Sequence, residues 1–244
     1  MWQIPPTTIA LTKHQADVWK ADLNISAELQ AEFREILSVE EKVRADRFRF
    51  PEHRAHFIAG RGILRHLLAK YVQRKPKDLV FGYGAQGKPF LVDYPGFAFN
   101  ISHSRNIGLF AFAHDLILGV DIEMIDPTIE FEVIAPRFFS KNESDTLMAL
   151  PIAERPLAFF NCWTRKEAFI KAKGGGLSIP LDQFEVSFLP DTAPELLAIN
   201  WAMDEVPDWS LYAFTPEYNM VGALIVRGEV NNVSYYNFSG NYIL

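Results

Sequence analysis

Residues 161–178, NCWTRKEAFIKAKGGGLS, place Trp163, Glu167 and Lys171 four residues apart and then run into three glycines. Residues four apart share one face of a helix, so a carboxylate and an ammonium would stand one turn from each other with an indole a turn before them. Read alone, the pair fits an exposed salt bridge ahead of a helix C-cap as well as it fits a reactive site. A second acidic signal is GVDIE at 119–123. Alternation along a strand puts Asp121 and Glu123 on one face, with Val120 and Ile122 turned to the core. Two carboxylates on an apolar strand repel each other unless they are solvated, protonated or bridged by a cation. Hard oxygen donors with no His or Cys nearby favour Mg²⁺ over Zn²⁺. Glu167, from another element, would be the third ligand, with Trp163 as a wall.

Complementary groups lie earlier in the chain. GYGAQGKP sets Lys88 at the edge of a glycine-rich turn, suited to reaching a phosphate, and FNISHS ends a strand with Ser102, His103 and Ser104. Arg54 and Arg61, seven apart, share a helix face, and Arg44 precedes them. Guanidinium groups hold phosphate bidentately, although a solvated helix face would look the same. The net charge is −6, yet residues 34–77 carry 12 Lys/Arg against 5 Asp/Glu, leaving 12 against 25 elsewhere. Such concentrated positive charge fits a small polyphosphate better than a long nucleic acid, which the remaining surface would repel. The glycines follow a helix rather than precede one, so they are not a Walker-type phosphate loop. His53 and His56 offer half of a metal site with no third ligand.

The elements that must hold these groups come in a repeated order. A strand at 14–23 precedes helices at about 38–48 and 51–71; SVEE, from Ser38 to Glu41, opens the first with a capping-box pattern, and Pro51 opens the second. Short strands follow near 79–82, 88–92, 97–102 and 107–113. A strand at 116–125, a second capping box at SKNE (Ser140 to Glu143), a helix at about 153–173 and strands near 184–189, 209–215, 220–226 and 233–238 repeat that order. We therefore expect an α+β fold of two similar subdomains related by pseudo-twofold symmetry, 1–115 and 116–244, with a ligand cleft between them. A single cysteine, Cys162, excludes an intrachain disulfide, and the chain shows neither a secretory pattern nor a run of about 18 apolar residues. A cytoplasmic protein is expected, and one cleft built by two halves makes a monomer sufficient.

The fragments FNISHS, GVDIE, RFFS and WTRKEAFIKAKGGGLS, in this order, resemble the 4′-phosphopantetheinyl transferases of the surfactin-synthetase-activating (Sfp) type, over about residues 38–188. The resemblance implies two α/β halves that bind coenzyme A between them and transfer its phosphopantetheine arm to a serine of an apo acyl or peptidyl carrier protein, releasing adenosine 3′,5′-bisphosphate. It implies Mg²⁺ on Asp121, Glu123 and Glu167, and Lys171 at the phosphate being broken. It further implies Ser102 and His103 on the CoA phosphates, Lys88 at the nucleotide end, and Arg44, Arg54 and Arg61 toward the 3′-phosphate. Glu41 departs from the pattern, since some members carry a basic residue there. Either Glu167 or a metal-held water would be the base. A Mg²⁺-dependent phosphodiesterase with water as nucleophile, or a CoA-binding module without turnover, remain alternatives.

Overall fold

The computed structural model describes residues 2–239. Strand β1 (Gln15–Asp22) leads into two short helices, α1 (Ala27–Ile36) and α2 (Val39–Asp46), and then the long α3 (Pro51–Val72). The Ser38 side chain accepts from the Glu41 amide while the Glu41 carboxylate accepts from the Ser38 amide, so the capping box of α2 is closed. Pro51 sits in the first turn of α3, where a missing N–H leaves nothing unsatisfied. A hairpin, β2 (Phe81–Tyr83) and β3 (Pro89–Leu91), precedes the antiparallel pair β4 (Phe97–Ser104) and β5 (Ile107–His114).

The same order then recurs: β6 (Ile117–Met124), short α4 (Phe131–Phe138) and α5 (Lys141–Ala149), and long α6 (Arg155–Lys173). The hairpin β7 (Phe184–Val186) and β8 (Leu196–Ile199) leads to the pair β9 (Trp209–Phe214) and β10 (Met220–Arg227). The Ser140 to Glu143 capping box opens α5 as Ser38 to Glu41 opens α2. The sheets match as well, β5 lying between β1 and β4 as β10 lies between β6 and β9, all antiparallel. The fold is α+β, in two halves of one topology.

One boundary needs correcting. Residue 115 falls in the turn between β5 and β6, but β11 (Asn232–Asn237) returns to the first sheet and runs parallel to β1. By sheet membership, the end of the described chain belongs with the first half. Residues 240–244 of the C-terminal tail lie outside the described residues.

The layers run helix, sheet, sheet, helix. Trp19, Phe110 and Phe112 turn one face of the first sheet to Ile63, Leu64 and Leu67 of α3. The opposite face, with Val18, Leu109 and Ala111, packs on Leu118, Val120 and Ile122 of β6 and Leu224 of β10. The far face of the second sheet, with Ala223 and Ile225, meets Phe169 and Ala172 of α6. Each fully buried apolar side chain contributes roughly 1.5–3 kcal/mol, so both halves and their interface are held by burial. At Gly119, β6 touches α6 so closely that a Cβ would lie 2.1 Å from the Ala168 carbonyl oxygen. Among the described residues no helix is long and apolar enough to cross a membrane.

Candidate active site

The alternation of β6 buries Val120 and Ile122 between the sheets and turns Asp121 and Glu123 the other way. Beside it, β4 presents Asn100, Ser102 and Ser104 at every second position. The Asn100 side-chain oxygen accepts from the Val120 amide at 2.9 Å, Ser102 Oγ donates to Asp121 Oδ1 at 2.7 Å, and Ser104 Oγ donates to Glu123 Oε2 at 2.9 Å. From α6, Lys171 Nζ donates to the same Asp121 Oδ1 at 2.6 Å and to Ser102 Oγ at 2.8 Å. Three elements from both halves thus meet on one carboxylate oxygen. The other, Asp121 Oδ2, is buried and has no hydrogen-bond partner among the described residues.

The charge at this junction is unbalanced. Burial, and then the charge of Asp121, push the Glu123 carboxyl up to about 7, against weaker opposition from Ser104 and Lys171. Glu167, one turn before Lys171, is also raised by burial and then by Asp121, with Lys171 pulling the other way. It forms no hydrogen bond among the described residues. Asp121, Glu123 and Glu167 therefore feel one another while sharing one ammonium. As they stand, no three His, Cys, Asp or Glu groups among the described residues are drawn together tightly enough to hold a metal ion.

Two cavities flank the junction. One, of about 720 Å³, runs from Glu123, Ser104 and His103 to an apolar wall that includes Phe159, Phe160 and Trp163. Trp163 is fixed by stacking on Phe159 at 6.0 Å between ring centroids. The other, of about 480 Å³, is lined by Arg44, Arg61, Tyr83, Gly87, Pro89 and Ser102, among others. His53, His56 and His103 line both. Burial, followed by the charges of Lys171, His56 and His53, lowers the His103 imidazole. His53 and His56 are thus brought beside His103, a grouping that their own spacing on α3 does not reveal.

The basic residues separate. Arg44 is exposed, lines the second cavity and stacks over Phe57 at 5.3 Å. Arg61 also lines it, but its Nε donates to Glu41 Oε1 at 2.6 Å, and Arg65 Nε donates to Glu41 Oε2 at 2.7 Å. Arg54 reaches no described cavity; its Nη2 donates to the Phe48 carbonyl at 3.3 Å. Heptad spacing gave Arg54 and Arg61 a common face, but their guanidiniums end in different places. Lys88 does not line the second cavity, although Gly87 and Pro89 do; its Nζ donates to the carbonyls of Leu118 at 3.0 Å and Ala172 at 2.9 Å. Glu143, legible in the sequence only as the end of a capping box, is also buried and paired with Lys166 of α6 at 2.7 Å.

Comparisons with known proteins address both halves. A family model described as the 4′-phosphopantetheinyl transferase superfamily matches residues 117–221, and one described as the N-terminal part of a 4′-phosphopantetheinyl transferase matches residues 22–114. The 4′-phosphopantetheinyl transferase HetI of Nostoc sp. is 37% identical over 230 residues, covering 93% of this chain and 94% of that protein. The 4′-phosphopantetheinyl transferase Sfp of Bacillus subtilis is 37% identical over 170 residues, 70% of this chain and 75% of its own. With a relative at this identity spanning nearly the whole sequence, the chain belongs to the 4′-phosphopantetheinyl transferase superfamily.

Proposed function

We propose that the cleft binds coenzyme A with its pyrophosphate at the Ser102–Asp121–Lys171 junction, where the serine hydroxyl of an acyl or peptidyl carrier protein takes the 4′-phosphopantetheine arm. The attack forms a serine O–P bond to the phosphate that bears pantetheine. The pyrophosphate bridge breaks, and adenosine 3′,5′-bisphosphate leaves. The observation that carries this reading is the junction itself: one carboxylate oxygen shared by a strand of each half and by α6, with two further acids beside it whose charge is not balanced.

Phosphoryl transfer asks the protein mainly for positioning and charge neutralisation. Lys171 and Ser102 are donors beside Asp121 of β6, Ser102 also lines the second cavity, and His103 lines both cavities. Lys171 would meet charge developing on the departing phosphate and could hold the proton that it takes. The nucleotide would lie in the second cavity, with Arg44 at its rim, while the apolar wall around Trp163 suits the pantetheine chain. Arg54 and Arg61 are weaker candidates for the 3′-phosphate, because one faces a backbone carbonyl and the other a buried acid.

Asp121, Glu123 and Glu167 fit Mg²⁺: all donors are hard oxygens, Asp121 Oδ2 is buried without a partner, and burial leaves the acids short of positive charge. When bound there, the ion would neutralise charge on the pyrophosphate. Glu167, with no hydrogen bond of its own, is the candidate to receive the proton of the carrier serine, directly or through a water. Since both halves of one chain line the cleft, a monomer suffices, and light scattering should return the single-chain mass of 27.8 kDa. One buried, unpaired cysteine, Cys162, supports a reducing cytoplasm as the working compartment.

Intact-mass spectrometry of an apo acyl carrier protein incubated with this enzyme, CoA and Mg²⁺ tests the reading. A gain of one phosphopantetheine, lost on chelation, is expected. Hydrolysis of CoA with every carrier left unmodified would replace transfer with phosphodiester cleavage.

A further inference from the structure

We propose that Lys88 is a positioning residue, fastening the turn at 84–88 of the first half to the last turn of α6 and so fixing where Lys171 and Glu167 stand. Its ammonium donates to two backbone carbonyls of the other half, Leu118 on β6 and Ala172 on α6. Ala172 is among the last four residues of α6, whose carbonyls have no intrahelical donor, so the contact supplies a missing partner and sets a positive charge at the negative end of the helix. Leu118 adjoins Gly119, where β6 lies against the Ala168 carbonyl and the Ala172 amide. Lys88 therefore sits where strand and helix touch, one residue from Lys171 along α6 and three from Asp121 along β6.

The surrounding turn is shaped to deliver it. The Gly84 amide donates to the Lys88 carbonyl at 2.9 Å, and the Gly87 amide to the Gly84 carbonyl at 2.9 Å, with Gly87 at φ 80°. Opposite, Gly174 closes α6 at φ 69°, and a Cβ there would lie 3.4 Å from Lys88 Cδ; one on Gly176 would lie 3.8 Å from Gln86 Cβ. The glycine run after α6 thus seats the turn of the other half. Burial lowers the Lys88 ammonium to about 8, and a charge so desolvated is tolerated only with acceptors in place. The flanking residues Gly87 and Pro89 line the second cavity, while the Lys88 side chain is spent on the backbone of the other half. This assignment replaces a grip on the nucleotide end, and it rests on the transferase reading only for its kinetic readout.

The test compares wild type, Lys88→Met and Lys88→Arg by carrier-modification kinetics over a range of CoA concentrations and by hydrogen exchange of the free enzyme. For Lys88→Met, kcat should fall about 100-fold, the scale of an ångström-sized misplacement, with KM for CoA changing by less than about threefold. Amides at 170–176 should exchange at least about tenfold faster. Lys88→Arg, which keeps charge and donors, should recover kcat to within about tenfold of wild type. A raised KM for CoA with unchanged kcat and unchanged exchange would return Lys88 to nucleotide binding and overturn the proposal; so would a fully active Lys88→Met. If Lys88→Met does not fold, the same kinetic split is read from Lys88→Gln, which loses the charge but keeps a polar side chain. Failure of wild type to modify any carrier would count against the transferase reading, while exchange at 170–176 would still decide the fastening.

Discussion

At the base of α2 one carboxylate, Glu41, faces two guanidiniums, those of Arg61 and Arg65; in the cleft three carboxylates, Asp121, Glu123 and Glu167, share the ammonium of Lys171. Both clusters pair acids with cations carried on a long helix, and both are largely buried. Burial alone would raise the Glu41 carboxyl, but the charges of Arg61 and Arg65, with the Ser38 amide, outweigh it and hold Glu41 below its ordinary value. In the cleft, burial and mutual repulsion act together and push Glu123 up to about 7. The first cluster is closed: the acid is outnumbered by cations, so the carboxylate is fully answered within the protein, and Arg65 also donates to the carbonyls of Pro76 and Leu79. The second is open and becomes balanced only when positive charge arrives. The comparison separates a structural ion cluster from a reactive one without reference to motif. Glu143 with Lys166 belongs to the closed kind, at the matching helix of the other half.

The two clusters respond to pH in opposite senses. Glu41, depressed, contributes stability that is present above the ordinary glutamate value and lost as pH falls through its lower folded value. Glu123, raised, costs stability as pH climbs from its ordinary 4.5 toward about 7.

Substitutions should break this contrast in order of size. Glu167→Ala, which removes an acid from the open cluster, should lower carrier modification by about 10³-fold or more, several kcal/mol of transition-state stabilisation, with circular dichroism and melting unchanged. Near-normal turnover would remove Glu167 from the site. Glu41→Ala leaves two buried guanidiniums without their counter-charge and should destabilise the fold by about 3–5 kcal/mol in urea titrations at neutral pH; a loss under about 1 kcal/mol would mean that the cluster is solvated rather than closed. Gly119→Ala forces a methyl into the Ala168 carbonyl and should cost about 1–3 kcal/mol by the same measurement. Glu123→Gln should do the reverse at the smallest scale. Allowing for the solvent that still reaches this side chain, it should stabilise the fold by on the order of 1 kcal/mol at pH 8 and by little at pH 4, while transfer is lost. Equal stabilisation at both pH values would show that charge is not the cause.

Local signals in the sequence were readable at several places where a few neighbouring residues decide the outcome. Ser38 with Glu41, and Ser140 with Glu143, close capping boxes because donor and acceptor lie three residues apart. Asp121 and Glu123 share a face through strand alternation alone. Helix α1 was not anticipated although its signal is local: Ser26 caps it, and Leu29, Phe33 and Ile36 recur at helical spacing and pack on the core of the first half. Helix α4 was hidden by Pro136 within it, and β8 by its short pairing with β7. Spacing gave Arg61 a helix face but not its partner, since Glu41 arrives from another helix. In the same way Lys88 reads as a phosphate ligand beside glycines, and only the packing of the two halves turns its side chain toward Ala172. The return of β11 to β1 joins opposite ends of the described chain and has no local signature.

The open cluster is tested most directly by calorimetric titration of Mg²⁺ into the enzyme in the presence of CoA, for wild type, Asp121→Asn and Glu41→Gln. Asp121→Asn should bind the ion at least about 100-fold more weakly than wild type, whereas Glu41→Gln, at a pH where it is folded, should match wild type. Equal Mg²⁺ affinity in Asp121→Asn and wild type would contradict the assignment of the cleft carboxylates as the cation site.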